Sequence, residues 1–349
     1  VYDQQTQETR RRTDFYRFDI KFPSMGQRAI VFENGGYIYR YDLATEAYKK
    51  IPIALHEDLE GGRSALGSVS DKISSYEIAP DGKRALLGAR GDVFTVPAKH
   101  GPTRNLTQSP GSHERNATWS PDGRLIAYIS DVSGEDEIYV QAQDGSAPAE
   151  QWTKGADTYK YRLVWSPDSK KILWADRRQR LRYVSLDTHT ITEVEQSDQW
   201  EFRKYAWSPD SQWIAYVKPE QVSMSKICLY SLEQDKAYEL TDGWYEASDP
   251  VFSADGEYLF FVSNRDFNPI YSSTEWNHAY RDMSRIYLMT LAKSTPSPLQ
   301  AKSDEVAIAS DEAQESKEKD EKEPSVEAMQ VDIDGIKARI AVLPIDVSR

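Results

Sequence analysis

The sequence predicts an all-β chain, a β-propeller of four-stranded WSPDG blades, and three observations carry that expectation. A short turn led by an aromatic or aliphatic anchor recurs along the 349 residues: "FPSMG" at Phe22, "IAPDG" at Ile78, then "WSPDG", "WSPDS", "WSPDS" and "FSADG" opened by Trp119, Trp165, Trp207 and Phe252. Successive anchors stand 41 to 56 residues apart, close to the period of roughly 40 to 50 residues shown by propeller blades. Between anchors the chain reads as short β-rich runs such as "RLIAYIS" and "EIYVQA", with no helical period.

Each element follows in order from its residues. The N-terminal "VYDQQTQETRRRT" resembles the third-strand exit and fourth strand of "YRYDLATEAYKKIPI", so residues 1–13 read as the outer-strand remnant of a split blade. In each unit the anchor ends a first strand, the turn leads to an apolar second strand, a third follows, and a fourth ends in "RNLT", "EQWT" or "YELT". Ser suits the first turn position, Pro pre-sets φ at the second, and Asp is tolerated at the third. Gly is favoured at the fourth, and Ser169 and Ser211 are expected to be tolerated there because a type I turn does not demand positive φ at its end. Trp119, Trp165 and Trp207 are expected to pack between neighbouring blades; a ligand cage is the other reading of a repeated indole.

Two segments leave the repeat. Residues 264–283, rich in aromatics and carrying His278, read as a loop packed on one face of the disc or as a ligand site. Residues 302–328 hold ten acids and four lysines, the composition of a solvated, mobile insertion. The final "VDIDGIKARIAVLPIDVSR" reads as one more fourth strand, since "RIAVLPI" echoes "YKKIPI". The expectation is one propeller domain over 1–349, with six recognisable blades and a partial seventh. Edges at an incomplete blade would be adhesive, which points to a piece of a longer chain.

Charge and motif content narrow the function. A net charge of −13 and a pI near 5.0 argue against nucleic acid or an anionic membrane as partner and leave basic or peptide-like partners. Cys228 stands alone, so no intrachain disulfide forms. No apolar run reaches membrane-spanning length. The chain lacks G-x-S-x-G, H-E-x-x-H, P-loop and G-x-G-x-x-G motifs, its five His are scattered, and "VDIDG" lacks the later bidentate acid of a calcium loop. No cofactor, metal or catalytic residue is expected, although a triad assembled from loops is recognised only by geometry.

One constellation has functional promise. Innermost propeller strands line the axis, and the residues just before each anchor should lie on or near it. Those positions hold Arg115, Lys160, Arg162, Arg203 and Lys204, mixed with Glu114, Glu201 and Glu246. They read either as salt bridges closing the gaps between blades, or as a mixed-charge channel lining for peptides, with arginine suited to bidentate capture.

The run "RALLGARGDVFTVPAKHGPTRNLTQSPGSHERNATWSPDGRLIAYISDVSGEDEIYV", together with "VWSPDSKKILWADRR" and "HAYRDMSRIYLMTL", resembles the second propeller of tricorn-type peptidases over nearly the whole chain. The acidic insertion before "VDIDGIKARIAVLP" also resembles that family's layout. The resemblance implies a large serine peptidase with two propellers, PDZ-like and catalytic domains, and oligomers enclosing a chamber. The seven-bladed propeller would gate or dock peptides on the way to the active site. The family's catalytic Ser, His and Glu have no counterpart in these residues. A stand-alone TolB-like interaction scaffold and the propeller of a prolyl-oligopeptidase relative are the alternatives. A cytoplasmic location is expected, or a periplasmic one if a signal peptide has been removed.

Overall fold

The computed structural model describes residues 1–56, 67–266, 269–271, 278–280, 282–300 and 328–345. Among them stand six four-stranded antiparallel sheets and one two-stranded hairpin. β1 (Ile20–Met25), β2 (Ala29–Asn34), β3 (Tyr37–Asp42) and β4 (Ala47–Lys50) form the first. β5 (Ile73–Ile78), β6 (Arg84–Ala89), β7 (Asp92–Pro97) and β8 (Arg104–Asn105) form the second. The third holds β9 (Arg115–Trp119), β10 (Leu125–Ser130), β11 (Glu137–Ala142) and β12 (Glu150–Gln151). The fourth holds β13 (Lys160–Trp165), β14 (Lys171–Asp176), β15 (Arg180–Ser185) and β16 (Ile191–Gln196). The fifth holds β17 (Tyr205–Trp207), β18 (Trp213–Lys218), β19 (Lys226–Ser231) and β20 (Lys236–Glu239). In the sixth, β21 (Ala247–Phe252) and β22 (Tyr258–Ser263) precede the hairpin of β23 (Pro269–Tyr271) and β24 (His278–Tyr280), and β25 (Arg285–Thr290) and β26 (Ile340–Val342) complete it. Among the described residues no helix is long and apolar enough to cross a membrane.

The chain divides into two compact units, Val1–Gly67 and Ser68–Arg349. In the first, Phe15 lies 4.9 Å from the rings of Tyr39 and Tyr48 and 5.9 Å from Phe32, an aromatic cluster that anchors one sheet. Residues Val1 to Arg10 close on themselves through a Tyr2–Thr9 bridge. In the second unit the first strands of successive sheets lie side by side, β5 by β9, β9 by β13, β13 by β17 and β17 by β21.

The repeated turn shows why its residues recur. Ser120 Oγ donates to Asp122 Oδ1 at 2.6 Å and accepts the Leu125 N–H at 2.9 Å. Asp122 Oδ1 also accepts the Arg124 N–H at 3.0 Å. The same bonds form around Ser166, Ser208 and Ser253. The fourth position corrects the sequence reading: Gly82, Gly123 and Gly256 have φ of 68°, 71° and 72°, and Ser169 and Ser211 share that left-handed conformation at 59° and 61°. A bond between sheets offsets this strain. Ser169 Oγ accepts the Asp122 N–H at 3.1 Å, and Ser211 Oγ accepts the Asp168 N–H at 3.0 Å.

The three tryptophan anchors pack between sheets as expected, Trp119 among residues of the second and third sheets. Trp165 lies in a core shared by the third and fourth sheets with Ile129, Ile138, Ile172 and Trp174, and its Nε1 donates to Thr118 O at 3.4 Å. Trp207 repeats this one sheet on, donating to Val164 O at 3.1 Å. Truncating such a buried aromatic costs about 3 to 5 kcal/mol. The threonine ending "NLT", "QWT" and "ELT" has its own task. Thr107, Thr153 and Thr241 accept the N–H of the second residue of the third strand, from Val93, Ile138 and Ile227 at 3.1, 2.8 and 3.0 Å.

Two further readings are corrected. In the first sheet the anchor position belongs to Met25, because the Gly26 N–H bonds Ala29 O as the Ser120 N–H bonds Leu125 O; Phe22 stands three residues earlier, exposed, at φ 50°. The C-terminal strand belongs to no seventh blade: β26 is the outer strand of the sixth sheet, Leu288 facing Ala341. The excursion expected as a loop over 264–283 contains the β23–β24 hairpin. The acidic insertion at 302–328 lies outside the described residues apart from Ala328.

Candidate functional site

In the second unit, β5, β9, β13 and β21 each carry a bulge in their pairing with the next strand. A bulge re-aims the side chains it displaces. Three residues before the anchor stand Asn116, Arg162, Lys204 and Asp249. Asn116 and Asp249 are left-handed there, both with φ 52°, a conformation these two residue types tolerate better than most. The first strands are linked through these positions. Asn116 Nδ2 donates to Tyr161 O at 3.3 Å, Tyr205 Oη donates to Arg162 O at 2.7 Å, and Lys204 Nζ lies 2.6 Å from Asp249 Oδ1.

The five basic residues singled out in the sequence fall into two groups. Lys160 is buried and Arg115 is half-buried between the third and fourth sheets. Arg115 grips Asp136 with both Nη atoms, bonds Lys160 O at 3.4 Å, and stacks on Tyr159 with its guanidinium carbon 3.9 Å from the ring centroid. Burial opposes the charge of Arg115, yet the Asp136 carboxylate more than compensates and its pKa is raised. Lys160 Nζ lies 3.5 Å from Glu137 Oε2 and also donates to Asp136 O. Burial dominates at Lys160 and lowers its pKa, with Glu137 working in the opposite direction.

Arg162, Arg203 and Lys204 remain at the surface. Arg162 and Arg203 border a depression of about 280 Å³ with Tyr161, Glu201, Phe202 and Tyr205. A second, of about 420 Å³, is lined by Trp200, Glu201, Arg203, Lys204, Val217, Pro219 and Ser225. The two share Glu201 and Arg203 on their borders, so they adjoin across the fourth and fifth sheets and are together termed the groove. Glu201 accepts the Tyr161 hydroxyl at 3.2 Å and Arg203 Nη2 at 3.3 Å. The bond from Arg203, then that from Tyr161, holds the Glu201 carboxyl below its usual range. At the far end Lys204 does the same for Asp249.

Sequence reasoning selected charged residues and passed over the aromatic ones. Tyr161 and Tyr205 sit beside the chosen cations, and Trp200 is 68% exposed on the rim. The signal for Trp200 was present: it is a tryptophan seven residues ahead of an anchor, out of phase with the repeat.

Sheets with four antiparallel strands, first strands side by side and a bulged first edge define a β-propeller of four-stranded blades. The family model described as "Tricorn protease second beta propeller domain" matches residues 73–349, and the chain belongs to that family. It is 27% identical over 336 residues to a putative tricorn-like protease C-terminal subunit of Sulfurisphaera tokodaii, covering 96% of this chain and 36% of that protein. It is 25% identical over 351 residues to tricorn protease homolog 1 of Streptomyces coelicolor, covering 98% of this chain and 32% of that one. A crystal structure of the tricorn protease shares the fold with a TM-score of 0.66 at 21% identity, over 99% of this chain and 32% of that chain. The chain thus spans about one third of the length of the curated relatives it matches.

Proposed function

We propose that the chain is a non-catalytic propeller of a tricorn-like serine peptidase and that its groove docks peptides, or gates their passage, on the way to an active site in another part of the parent protein. One observation carries this reading: the groove on the inner strands keeps two guanidinium groups and an indole at the surface, while the neighbouring Arg115 and Lys160 are consumed by buried partners. Arg115 and Lys160 then hold the wall, and Arg162, Arg203 and Lys204 meet the peptide. Arginine forks and exposed aromatic faces suit carboxylates, backbone carbonyls and apolar side chains together. The remaining domains of the parent peptidase, and further copies of it, are the partners this reading implies.

The test is kinetic. In the full-length peptidase, replacing Arg162 and Arg203 together by Gln slows cleavage of long peptides by several-fold and leaves very short ones nearly unchanged. Equal effects at both lengths would remove the groove from the peptide's route.

A further inference from the structure

We propose that the groove selects peptides carrying an acidic side chain beside an aromatic or aliphatic one, an inference that rests on the peptide-docking reading above. The charge balance is the first reason. Arg162 has no carboxylate within ion-pair distance among the described residues, although it borders the depression with Arg203. Arg203 is 77% exposed along its side chain, and its one carboxylate partner, Glu201, is shared with the Tyr161 hydroxyl. Lys204 is neutralised by Asp249, and Arg177 stands near Tyr161. The two depressions are therefore lined by three cations, Arg162, Arg203 and Lys204, and one acid, Glu201, with Asp249 beside Lys204 and Glu246 behind Ser225, in a chain whose net charge is −13. A local excess of one sign within a surface of the other draws a ligand of complementary charge.

Geometry supplies the second reason. A carboxylate placed between Arg162 and Arg203 meets guanidinium donors suited to two-pronged bonding, whereas a lysine side chain there would meet uncompensated positive charge. Trp200, Val217 and Pro219 line the adjoining depression. The exposed indole offers a rigid apolar platform at low entropic cost. An acidic residue and its apolar neighbour along one extended peptide would fill both halves of the groove.

Fluorescence anisotropy of labelled, N-acetylated and C-amidated octapeptides against the chain tests this directly. The peptides share one Phe and differ only in having Glu, Gln or Lys beside it. The Glu peptide should bind about ten-fold more tightly than the Lys peptide at low salt, the scale expected of one charge-assisted pair. That difference should collapse in R162Q/R203Q, while W200A should weaken all three alike; both changes lie at exposed positions, and circular dichroism checks the fold. Equal affinity for the three peptides overturns the selectivity and leaves peptide docking standing. Binding that requires a free C-terminal carboxylate also overturns it. Absence of binding by every peptide would overturn the docking reading itself.

Discussion

Ser169 Oγ accepts the backbone N–H of Asp122 at 3.1 Å, so the turn of the fourth sheet fastens the turn of the third. Ser211 does the same for Asp168 one sheet on. Both serines hold a left-handed backbone that glycine would adopt at lower cost.

Ser211→Ala and Ser211→Gly should therefore differ. Alanine keeps the backbone strain and loses the bond, costing about 1 to 2 kcal/mol. Glycine loses the bond but relieves roughly 1 kcal/mol of strain, leaving a smaller net change. Urea denaturation of both variants decides this: a neutral alanine variant would mean that the bond between turns contributes nothing.

Thr153→Val keeps the shape and removes the hydroxyl. The buried Ile138 N–H loses its acceptor and Glu137 loses a donor, so stability should fall by about 1 to 3 kcal/mol. A change below roughly 0.5 kcal/mol would contradict the role given to the repeated threonine.

The Lys204–Asp249 pair fixes a pH dependence. The bond from Lys204 holds the Asp249 carboxyl below its ordinary range. Its stabilising contribution is present above the unfolded value and is lost as pH falls through the folded one. Both side chains are about half exposed, so the gain stays below about 1 kcal/mol. Asp249→Asn should be less stable than the parent chain at pH 6, and the gap should close as pH falls through the folded pKa of Asp249; a gap that persists in strong acid would assign the effect to packing.

Arg115 and Arg203 show how much of the site was legible. Each stands four residues before its anchor, and nothing local tells them apart. Their fates diverge because the residue before the third strand is Asp136 in one sheet and Ser225 in the other. That contact joins strands 21 residues apart, beyond what a repeat pattern can resolve. The repeated turn was readable because its bonds lie within a few residues, and the tryptophan anchors because they recur at a fixed place beside it. The partner of β26 was not, since the acidic insertion separates it from β25. The left-handed serines escaped because the bond that stabilises them comes from the preceding sheet.

Copying the buried arrangement should close the groove. Ser225→Asp places a carboxylate in the depression that Arg203 borders, where an ion pair would draw the guanidinium inward as Asp136 draws Arg115. Peptide affinity should fall several-fold with little change in stability; unchanged affinity would argue that Arg203 does not meet the peptide.

The most direct measurement is photo-crosslinking of a peptide bearing a benzophenone side chain to the chain, with the attachment points located by mass spectrometry. Crosslinks should concentrate on Trp200, the 201–205 segment, Tyr161 and Pro219, and should diminish in R162Q/R203Q. Crosslinks spread over the sheet exteriors, or confined to the opposite ends of the first strands at the turns around Asp122, Asp168 and Asp210, would contradict a docking groove on the inner strands.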